Sequence, residues 1–308
     1  MHSVQVALFG VNSRIGPFIL SALLESTYQF DLIIVLRPSS QRPHIPSNVH
    51  RKIRIVELSD DPSTQQLVEV LHNIDVLVSA LSAGLVDLHR RLADACILAG
   101  VCRYIPADYG SVRSDDPYAL DLLENFRNKQ IVRWHLQRLA EESRGEFTWT
   151  SLATGHFFDL GLETELLGIN VGAGTGKMFD GGRDRWSTST RAQIGKAVAG
   201  VIGHLEQTAN KLLLIQSFCV TQLEVADAIR RTGHSLALQK VDSKAFLDEQ
   251  MRKANRGDPD GVESAVAVLG IKRSNWLGDV AFANDLLELK EETLDEVVQR
   301  VLRHRGSA

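Results

Sequence analysis

The chain contains few cysteines and no long apolar run, and each absence excludes a class of protein. Three cysteines among 308 residues, Cys96, Cys102 and Cys219, are too few and too scattered for a disulfide framework or a zinc cluster, so reduced thiols in an intracellular protein are expected. No stretch of about 18 apolar residues occurs, and no basic segment followed by an apolar one opens the sequence. We therefore expect neither a membrane-spanning helix nor a signal peptide, and predict a cytoplasmic protein with no membrane partner.

Charge of one sign is not in excess either, because 34 Lys and Arg residues stand against 38 Asp and Glu residues, a net charge of -4. This balance argues against a nucleic-acid partner, which selects for a basic excess. No histidine cluster has metal-ligand spacing, so no metal is expected. With 44% hydrophobic residues the composition is that of an ordinary globular protein, expected to be a monomer or a homodimer with a small-molecule ligand.

Short apolar runs alternate with amphipathic stretches through the first half of the chain. The runs are rich in β-branched residues and almost continuously apolar, which is typical of strands covered on both faces. The stretches between them show the i, i+3, i+4 spacing of helices. Such alternation predicts parallel strands joined by right-handed crossovers, an α/β doubly wound sheet of the Rossmann type. The predicted strands are 4–9, 32–36, 53–58, 75–80, 103–106 and 148–153, and the predicted helices are 15–26, 63–72, 85–99 and 117–142.

After residue 155 the alternation is less regular. The glycine-dense stretch 168–182 predicts a long loop, and Thr221 and Thr293 each begin a Thr-x-x-Glu capping box that predicts a helix start. A further helix is predicted over 191–204 and a strand over 211–218. We predict an NADP-binding Rossmann domain over 1–155, rejoined by about 187–218, and a smaller α/β substrate-binding domain formed by 156–186 and 219–308.

The first predicted strand ends in a glycine turn that leads directly into a helix. Gly10 and Gly16 stand six residues apart, as in a Gly-x-x-Gly-x-x-Gly turn, and Ser13 replaces the central glycine. Such a turn lets the backbone approach a pyrophosphate, and the free N–H groups of the helix start point at it. A plain turn that needs glycine for packing is the alternative. The predicted dinucleotide contacts of this loop are Gly10, Asn12, Ser13, Arg14, Ile15 and Gly16.

The end of the second strand indicates which dinucleotide is bound. An NAD-binding domain places an acidic residue there, but this strand ends Val-Leu-Arg37-Pro-Ser39-Ser40. A guanidinium with neighbouring hydroxyls suits a 2′-phosphate, and Arg14 in the glycine turn could reach the same group. NADPH is therefore predicted rather than NADH, and a solvated loop arginine is the alternative for Arg37.

Small residues at the end of the fourth strand predict the other half of the cofactor site. Ser79, Ala80 and Leu81 leave room for the ribose and the nicotinamide beside the point where the strand order reverses. A tight turn with Ser82 as the cap of the next helix explains the same residues equally well.

The Tyr-x-x-x-Lys pair of typical short-chain dehydrogenases is missing, because none of the four tyrosines has a lysine four residues later. Two other segments are present: Tyr-Ile-Pro-Ala-Asp-Tyr-Gly at 104–110, and Phe126, Lys129, Val132 and Arg133 in the spacing Phe-x-x-Lys-x-x-Val-Arg. With the glycine turn and the Arg-Pro pair, these segments resemble the isoflavone reductase-like and phenylcoumaran benzylic ether reductase-like proteins. That group lies in the NmrA-like branch of the atypical short-chain dehydrogenases.

The resemblance covers most of the chain and implies NADPH binding, with Lys129 at the position of the family's catalytic lysine, where it is also predicted to contact the cofactor. The chain departs from the family at Ser13, which stands for a glycine, and at Asp108, which stands for the glutamate of the usual Phe-Ile-Pro-Ser-Glu-Phe-Gly segment. A shorter carboxylate at residue 108 puts the family's use of that position in doubt.

Helical spacing supports Lys129 independently of the resemblance. On a helix, the side chains that share its face are Leu122, Phe126, Val132 and Leu136. An ammonium within an apolar stripe is partly desolvated, which lowers its pKa toward that of a working general acid or base. A lysine stem that extends along the stripe to solvent is the equally simple alternative.

The segment after the sixth strand is predicted to contact the substrate. His156 is a candidate proton donor or substrate contact, and Phe157, Phe158 and Trp186 are candidates for the walls of an aromatic pocket. A hydrogen-bonded structural histidine and ordinary core aromatics are the alternatives.

Together these features predict an NADPH-dependent reductase that delivers hydride to a conjugated small-molecule metabolite, such as an enone or a quinone methide, with Lys129 as general acid or base. The substrate is expected to be aromatic or polyketide-like. Two alternatives use the same scaffold: a non-catalytic NADP(H)-binding sensor of the NmrA type, and a non-redox isomerase or cyclase.

Overall fold

The computed structural model describes residues 3–47, 49 and 51–305. Its strands are β1 Val4–Phe9, β2 Phe30–Leu36, β3 Ile53–Glu57, β4 Val76–Ser79, β5 Arg103–Ile105, β6 Thr148–Ala153, β7 His156–Phe157, β8 Ile169–Asn170, β9 Thr175–Phe179, β10 Trp186–Ser189, β11 Lys211–Leu214, β12 Phe218–Val220 and β13 Ala237–Val241. Its helices are α1 Gly16–Glu25, α2 Thr64–Leu71, α3 Val86–Ala99, α4 Pro117–Leu122, α5 Glu124–Glu142, α6 Phe158–Thr164, α7 Arg191–Gly203, α8 Gln222–Arg231, α9 Ser243–Ala254, α10 Pro259–Arg273 and α11 Leu294–Arg305.

Seven strands form one parallel sheet in the order β11-β6-β5-β4-β1-β2-β3. The chain starts in the middle at β1, builds outward through β2 and β3, and then returns to β4 on the other side. The strand order therefore reverses between β1 and β4, and in such sheets a crevice opens there at the carboxyl ends of the strands. The predicted α/β doubly wound fold is confirmed.

Helices cover both faces of the sheet, which explains why its strands are apolar almost throughout. On one face, side chains of α1 and α7 such as Ile19 and Val198 pack against alternate residues of β1 such as Leu8. On the other face, α2, α3 and α5 cover the residues between them, including Ala7 and Phe9. Each strand thus buries both of its faces, as the sequence pattern predicts.

A second core lies beside the sheet, beneath two three-stranded sheets with the orders β12-β10-β7 and β13-β9-β8. Helix α5 takes part in both cores. Phe126, near its start, packs in the second core, whereas Val132 and Leu136 pack beneath the large sheet. Lys129 lies between them on the same helix and therefore at the junction of the two cores.

The prediction of a single helix over 117–142 is wrong, because the helix is interrupted at Leu123. This residue is extended, with φ -125° and ψ 126°, and its side chain is buried in the second core. Arg127 donates to the carbonyls of Leu120 and Asp121 at 2.8 and 3.2 Å, so it satisfies the acceptors that end α4. Burial of the Leu123 side chain and the hydrogen bonds from Arg127 therefore favour two helices over the single helix that the apolar spacing predicts.

Two further predictions need correction. The glycine-dense stretch 168–182 is not a plain loop, because it contains the antiparallel strands β8 and β9, and β13 adds to them. Gly168 and Gly174 have positive φ angles of 74° and 65°, so these glycines shape the ends of the hairpin. The strand predicted over 211–218 is two strands, since the chain leaves β6 after Leu214 and pairs with β10 from Phe218.

Both predicted capping-box helices begin where expected, at α8 and α11, and the full reciprocal box is present at Thr221.

β11 pairs with β6 in the large sheet, but β10 pairs with β7 and β12. How these parts divide into domains stays a prediction. In the part of the chain that the structure describes, none of the helices is both long and apolar enough to span a lipid bilayer.

Candidate active site

The turn between β1 and α1 requires glycine at both of its ends. Gly10 has a φ of +81°, and a Cβ there would lie 2.6 Å from the carbonyl carbon of Ala80 on β4's side of the crevice. A Cβ at Gly16 would lie 2.2 Å from the carbonyl oxygen of Gly10. Both distances are far below van der Waals contact, so the turn can close only with glycine at these positions.

Ser13 maintains the turn where the family has a third glycine. Its N–H donates to the carbonyl of Gly10 at 3.0 Å, and its hydroxyl oxygen accepts the N–H of Gly16 at 3.0 Å. The side chain therefore caps the first N–H of α1, one of the donors that a helix start leaves for an anion. The substitution keeps the shape of the turn and takes up one of its donors.

A cleft of about 600 Å³ opens at the carboxyl ends of β1 to β4. Six of the twelve residues predicted to bind the dinucleotide line it. Ile15 and Ser79 are buried and do not line the cleft, and Ser40 lines it where Ser39 was predicted. The predicted residues that line the cleft are Gly10, Asn12, Ser13, Arg37, Ala80 and Leu81.

The Arg37 end of the cleft also contains acidic side chains that the sequence did not lead us to predict. Nε of Arg37 lies 3.8 Å from Oδ1 of Asp60, and both side chains are well exposed, at 67% and 71%. Arg91 pairs with Asp61 in the same cleft. The sequence carries a signal for these acids, because they directly follow β3 and its carboxyl end lies at the same edge of the sheet as that of β2.

Arg14 and Asn12 make hydrogen bonds within the chain, and their contact with the dinucleotide stays a prediction. Nη2 of Arg14 donates to Oε1 of Glu263 on α10 at 3.1 Å, in an ion pair whose two side chains are exposed. Nδ2 of Asn12 donates to the carbonyl of Gln41 at 2.7 Å. This bond joins the glycine turn to the loop after β2.

Lys129 lies on α5 at the junction of the two cores, and its face of the helix is apolar at Phe126, Val132 and Leu136 as predicted. The fourth predicted neighbour, Leu122, is not on this helix, because it ends α4 before the break at Leu123. Its Nζ is 5.7 Å from the ring centroid of Phe126 and would lie 2.9 Å from a Cβ placed on Gly110. Burial lowers the pKa of Lys129, and the charge of Asp108 opposes that shift. Gly110 is the last residue of the Tyr-Ile-Pro-Ala-Asp-Tyr-Gly segment, so the two motifs meet in space.

A small cavity of about 10 Å³ separates Lys129 from the end of the dinucleotide cleft. Ala83 lines this cavity, and its sequence neighbours Ser82 and Gly84 line the cleft. His89 also lines the cavity, but its ring is fully engaged. Nδ1 lies 3.0 Å from the hydroxyl of Tyr104, and Nε2 lies 3.1 Å from the carbonyl of Ser82.

The neighbours of His89 fix the proton on its ring. A carbonyl can only accept, so Nε2 carries the proton and Nδ1 accepts from Tyr104. Burial lowers the pKa of His89, and the ring is therefore neutral. Its structural effect is to hold the Ser82 turn at the rim of the cleft.

Asp108 is the centre of a buried polar network next to Lys129. Its Oδ2 accepts from the hydroxyl of Ser114 at 2.6 Å and from Nη1 of Arg133 at 3.4 Å, and Arg133 also donates to Ser114. Burial raises the pKa of Asp108, and the charges of Lys129 and Arg133 act against that rise. Among the described residues, its Oδ1 makes no hydrogen bond of normal geometry, and neither do the buried hydroxyls of Ser151, Tyr109 and Ser111. The hydroxyl of Ser151 is nevertheless close enough to Asp108 to lower its pKa.

His156 and Phe158 make the contacts of a hydrogen-bonded structural histidine and of an ordinary core aromatic residue. Nε2 of His156 donates to the carbonyl of Ala267 at 2.9 Å, and burial lowers its pKa to about 4. Phe158 is fully buried, with its ring edge-on to Phe218 at 4.8 Å. Phe157 is half-buried and packs against the core of the large sheet. Contact of all three residues with a substrate stays a prediction.

Residues 10–205 match the profile of the protein family described as NAD(P)H-binding. That span begins at Gly10 and includes Lys129 and every residue that lines the dinucleotide cleft except Phe9. The chain belongs to this NAD(P)H-binding family. The predicted nicotinamide dinucleotide cofactor is thereby confirmed, and the glycine turn, which a Cβ would fill, fits the approach of a pyrophosphate.

Two relatives match the chain over most of its length. "Oxidoreductase aprR" of Aspergillus flavus is 27% identical over 305 residues, which cover 98% of this chain and 99% of the relative. A Gibberella moniliformis protein named "NmrA-like family domain-containing oxidoreductase" is 25% identical over 258 residues, 77% of this chain and 80% of the relative. The predicted membership of the NmrA-like family is confirmed, and the protein is an NAD(P)H-dependent oxidoreductase.

A solved structure shares the fold. The protein described as "AtPrR2 with NADP+ and (+)pinoresinol" superposes with a TM-score of 0.75 at 19% identity, and the match covers 98% of this chain and 99% of that one. At this level of identity the likeness shows the architecture. The roles of the individual site residues rest on the geometry described above.

Proposed function

We propose that the protein is an NADPH-dependent reductase of a conjugated, aromatic or polyketide-like small molecule, with Lys129 as its general acid or base. The observation that carries the proposal is the place of Lys129. Its amine is half-buried beside Gly110, and the cavity that it lines adjoins the cleft of the NAD(P)H-binding fold. Among the described residues that line the cleft or this cavity, Lys129 is the only lysine.

The adenosine end of the cleft supports the 2′-phosphorylated cofactor. Arg37 and Ser40 line the cleft where β2 ends, and a guanidinium with a nearby hydroxyl offers the charge-assisted, planar recognition that a phosphate monoester requires. Asp60 faces Arg37 from the loop after β3. The two side chains are exposed and their closest atoms are 3.8 Å apart, so a phosphate dianion competes with this ion pair at little cost. The glycine turn from Gly10 to Gly16 would hold the pyrophosphate.

The chain's own groups handle the proton. NADPH, when bound, supplies the hydride. Because burial lowers the pKa of Lys129, its amine exchanges a proton closer to neutral pH than an exposed lysine does. It can take the proton of a phenol or give one to an enolate oxygen, and the apolar side chains of Phe126 and Val132 keep water from competing.

Two observations support an aromatic, oxygen-bearing substrate. One is the set of side chains around Lys129, and the other is the similar structure that is described with NADP+ and (+)pinoresinol. Tyr109 and Ser111 flank Gly110, which lies next to the amine of Lys129, and their buried hydroxyls have no hydrogen-bond partner among the described residues. Buried hydroxyls of this sort are normally paired, so a bound molecule with oxygen substituents would satisfy them. Phe157 is half-buried and offers an aromatic face near the same segment.

Label transfer tests the proposal directly. The purified protein is first titrated with NADPH and with NADH, and the expected result is tighter binding of NADPH. It is then mixed with a panel of enones and quinone methides and with NADPH deuterated at the nicotinamide C4. Deuterium in the product, with equal loss of nicotinamide absorbance, is the expected result.

Three outcomes would contradict the proposal in different ways. Binding of NADPH with no turnover across the panel would favour the sensor alternative. Product formation without loss of NADPH, and without label, would favour an isomerase or cyclase. A lack of measurable affinity for NADPH would remove the basis of the whole site.

A further inference from the structure

The buried carboxylate of Asp108 faces the amine of Lys129 without touching it. Both residues line the cavity of about 10 Å³, a volume of roughly one water molecule. Among the ion pairs of the described residues, Asp108 is joined to Arg133 and Lys129 to none. The charge of Asp108 nevertheless acts on Lys129, and that of Lys129 acts on Asp108.

The two oxygens of Asp108 have different surroundings. Oδ2 is anchored by the hydroxyl of Ser114 and the guanidinium of Arg133. Oδ1 is buried and makes no hydrogen bond of normal geometry among the described residues, although the nearby hydroxyl of Ser151 lowers the pKa of Asp108. The anchor on Oδ2 holds the carboxylate in place beside the cavity that Lys129 also lines.

The other charged and titratable groups around Lys129 do not take this role. His89, which approaches from α3, is neutral with both ring nitrogens engaged. Arg133, one turn further along α5, is cationic and bound to Asp108. Tyr109 is buried, and the charge of Asp108 contributes to keeping its phenol protonated. Asp115 lies near Arg133 but forms its own ion pair with Arg113.

We infer that Asp108 is the positioning residue of Lys129: its carboxylate, fixed by Ser114 and Arg133, orients the amine across the cavity that both residues line and keeps its charged form stable. The inference rests on the proposed role of Lys129 in the reaction. It assigns no contact between Asp108 and the cofactor or substrate.

The physical reason is the low dielectric of the junction. Desolvation alone would drive the lysine to its neutral form, and one fixed negative charge a short distance away offsets it. Because Asp is one methylene shorter than Glu, the gap to Lys129 remains open, so the carboxylate moderates the amine without locking it in an ion pair. An amine held in this way can both gain and lose a proton.

The test measures the pKa of Lys129 itself and does not require turnover. The full-length protein is labelled with [13Cε]lysine, and the signal of Lys129 is assigned by its loss in Lys129→Arg. Its 13Cε shift is followed against pH in the unchanged protein and in Asp108→Asn. We expect Asp108→Asn to lower the pKa of Lys129 by about one unit or more, since an opposite charge at this range shifts a pKa by about 1–3 units.

Two further variants separate positioning from general damage. Asp108→Glu keeps the charge, so we expect it to preserve the pKa of Lys129 at or above its value in the unchanged protein. Asp115→Asn removes a nearby carboxylate that faces Arg113 and Arg133, and it should leave the pKa of Lys129 in place. An unchanged pKa in Asp108→Asn, or an equal drop in Asp115→Asn, would overturn the inference.

If Asp108→Asn does not fold, Ser114→Ala provides the same test in a milder form. It keeps the carboxylate but removes its 2.6 Å hydrogen bond, so a smaller drop in the pKa of Lys129 is expected. No change in that variant would then overturn the inference.

Activity is measured in parallel so that the two proposals fail separately. The limb of the pH profile of kcat/KM that reports Lys129 should move to lower pH in Asp108→Asn and return in Asp108→Glu. If Lys129→Ala keeps full activity while the pKa of Lys129 still follows Asp108, the proposed function is wrong and the positioning contact stands. If Lys129→Ala is inactive and the pKa ignores Asp108, the reverse holds.

Discussion

The two ends of the candidate site each pair a cation with a carboxylate, but in opposite surroundings. At the adenosine end, Arg37 and Asp60 are both about two-thirds exposed, and their closest atoms are 3.8 Å apart. At the other end, Asp108 is buried at 3% exposure and Lys129 is desolvated enough for its pKa to fall. The same kind of pair therefore has different consequences at each end.

Solvent explains the difference. Charges in water interact weakly and are screened within about 10 Å at ordinary salt, so the exposed pair can open when a phosphate approaches. Charges in a protein interior interact several times more strongly, so the buried pair controls which protonation state exists. The exposed end is suited to selecting a ligand, and the buried end to moving a proton.

The largest expected effect is at the buried end. Lys129→Ala should lower kcat by about 10²–10⁴-fold, the usual contribution of a general acid or base, while the dissociation constant of NADPH stays within about twofold. Lys129→Arg retains the charge but does not titrate near neutral pH, so it should be nearly as inactive. Steady-state kinetics with a substrate from the panel, and a fluorescence titration with NADPH, measure the two effects. Full activity in Lys129→Arg would mean that only the charge matters.

A smaller effect is expected from His156, a second desolvated group of the buried half. Its pKa is about 4 in the folded protein against about 6.5 when unfolded, so its neutral form favours folding at pH values above about 6.5. As the pH falls from about 7 to 5 the unfolded state takes up a proton first, and about 2 kcal/mol of stability is lost. Urea unfolding of His156→Gln should show a flatter pH dependence than that of the unchanged protein. Parallel pH curves for the two proteins would contradict this reading.

How far the sequence predicts the molecule also differs between these regions. The large sheet is predictable because its strands are apolar on both faces and its helices are periodic, so local pattern and tertiary position agree. Gly10 and Gly16 are identifiable for a similar reason, since only a residue without a Cβ fits there. Lys129 is found by its spacing from Phe126 and Val132 along one helix.

What the sequence does not predict depends on contacts between distant residues. The break at Leu123 requires knowledge of the second core and of the cap from Arg127. The link from Arg14 to Glu263 joins residues 249 positions apart. The network of Asp108 depends on the side chain of Arg133, which is buried and points inward from α5. The spacing of residues along a helix does not predict which residue such an arginine contacts.

At the exposed end, Arg37→Met should weaken NADPH binding by about tenfold, because a charge-assisted hydrogen bond contributes about 1.5–3 kcal/mol and part of it is lost to solvent here. Binding of NADH should not change, since it has no 2′-phosphate. Arg42→Met is the matched control: Arg42 pairs with Glu57 and lies outside the cleft, so it should affect neither dinucleotide. Equal weakening of NADPH and NADH in Arg37→Met would place the guanidinium elsewhere than at the phosphate.

The smallest expected effect has the opposite sign and comes from Asp60. Its carboxylate competes with a 2′-phosphate for Arg37, so Asp60→Asn should tighten NADPH binding by about two- to fivefold, the range of an exposed ion pair. Because both groups are exposed, high salt should remove most of this gain, whereas the shift that Asp108 imposes on Lys129 should persist at the same salt. Isothermal titration of NADPH at low and high salt measures the first effect, and the 13Cε titration measures the second. A gain in Asp60→Asn that persists at high salt would mean that the Arg37 end is shielded from solvent in the bound state, and the contrast between the two ends would disappear.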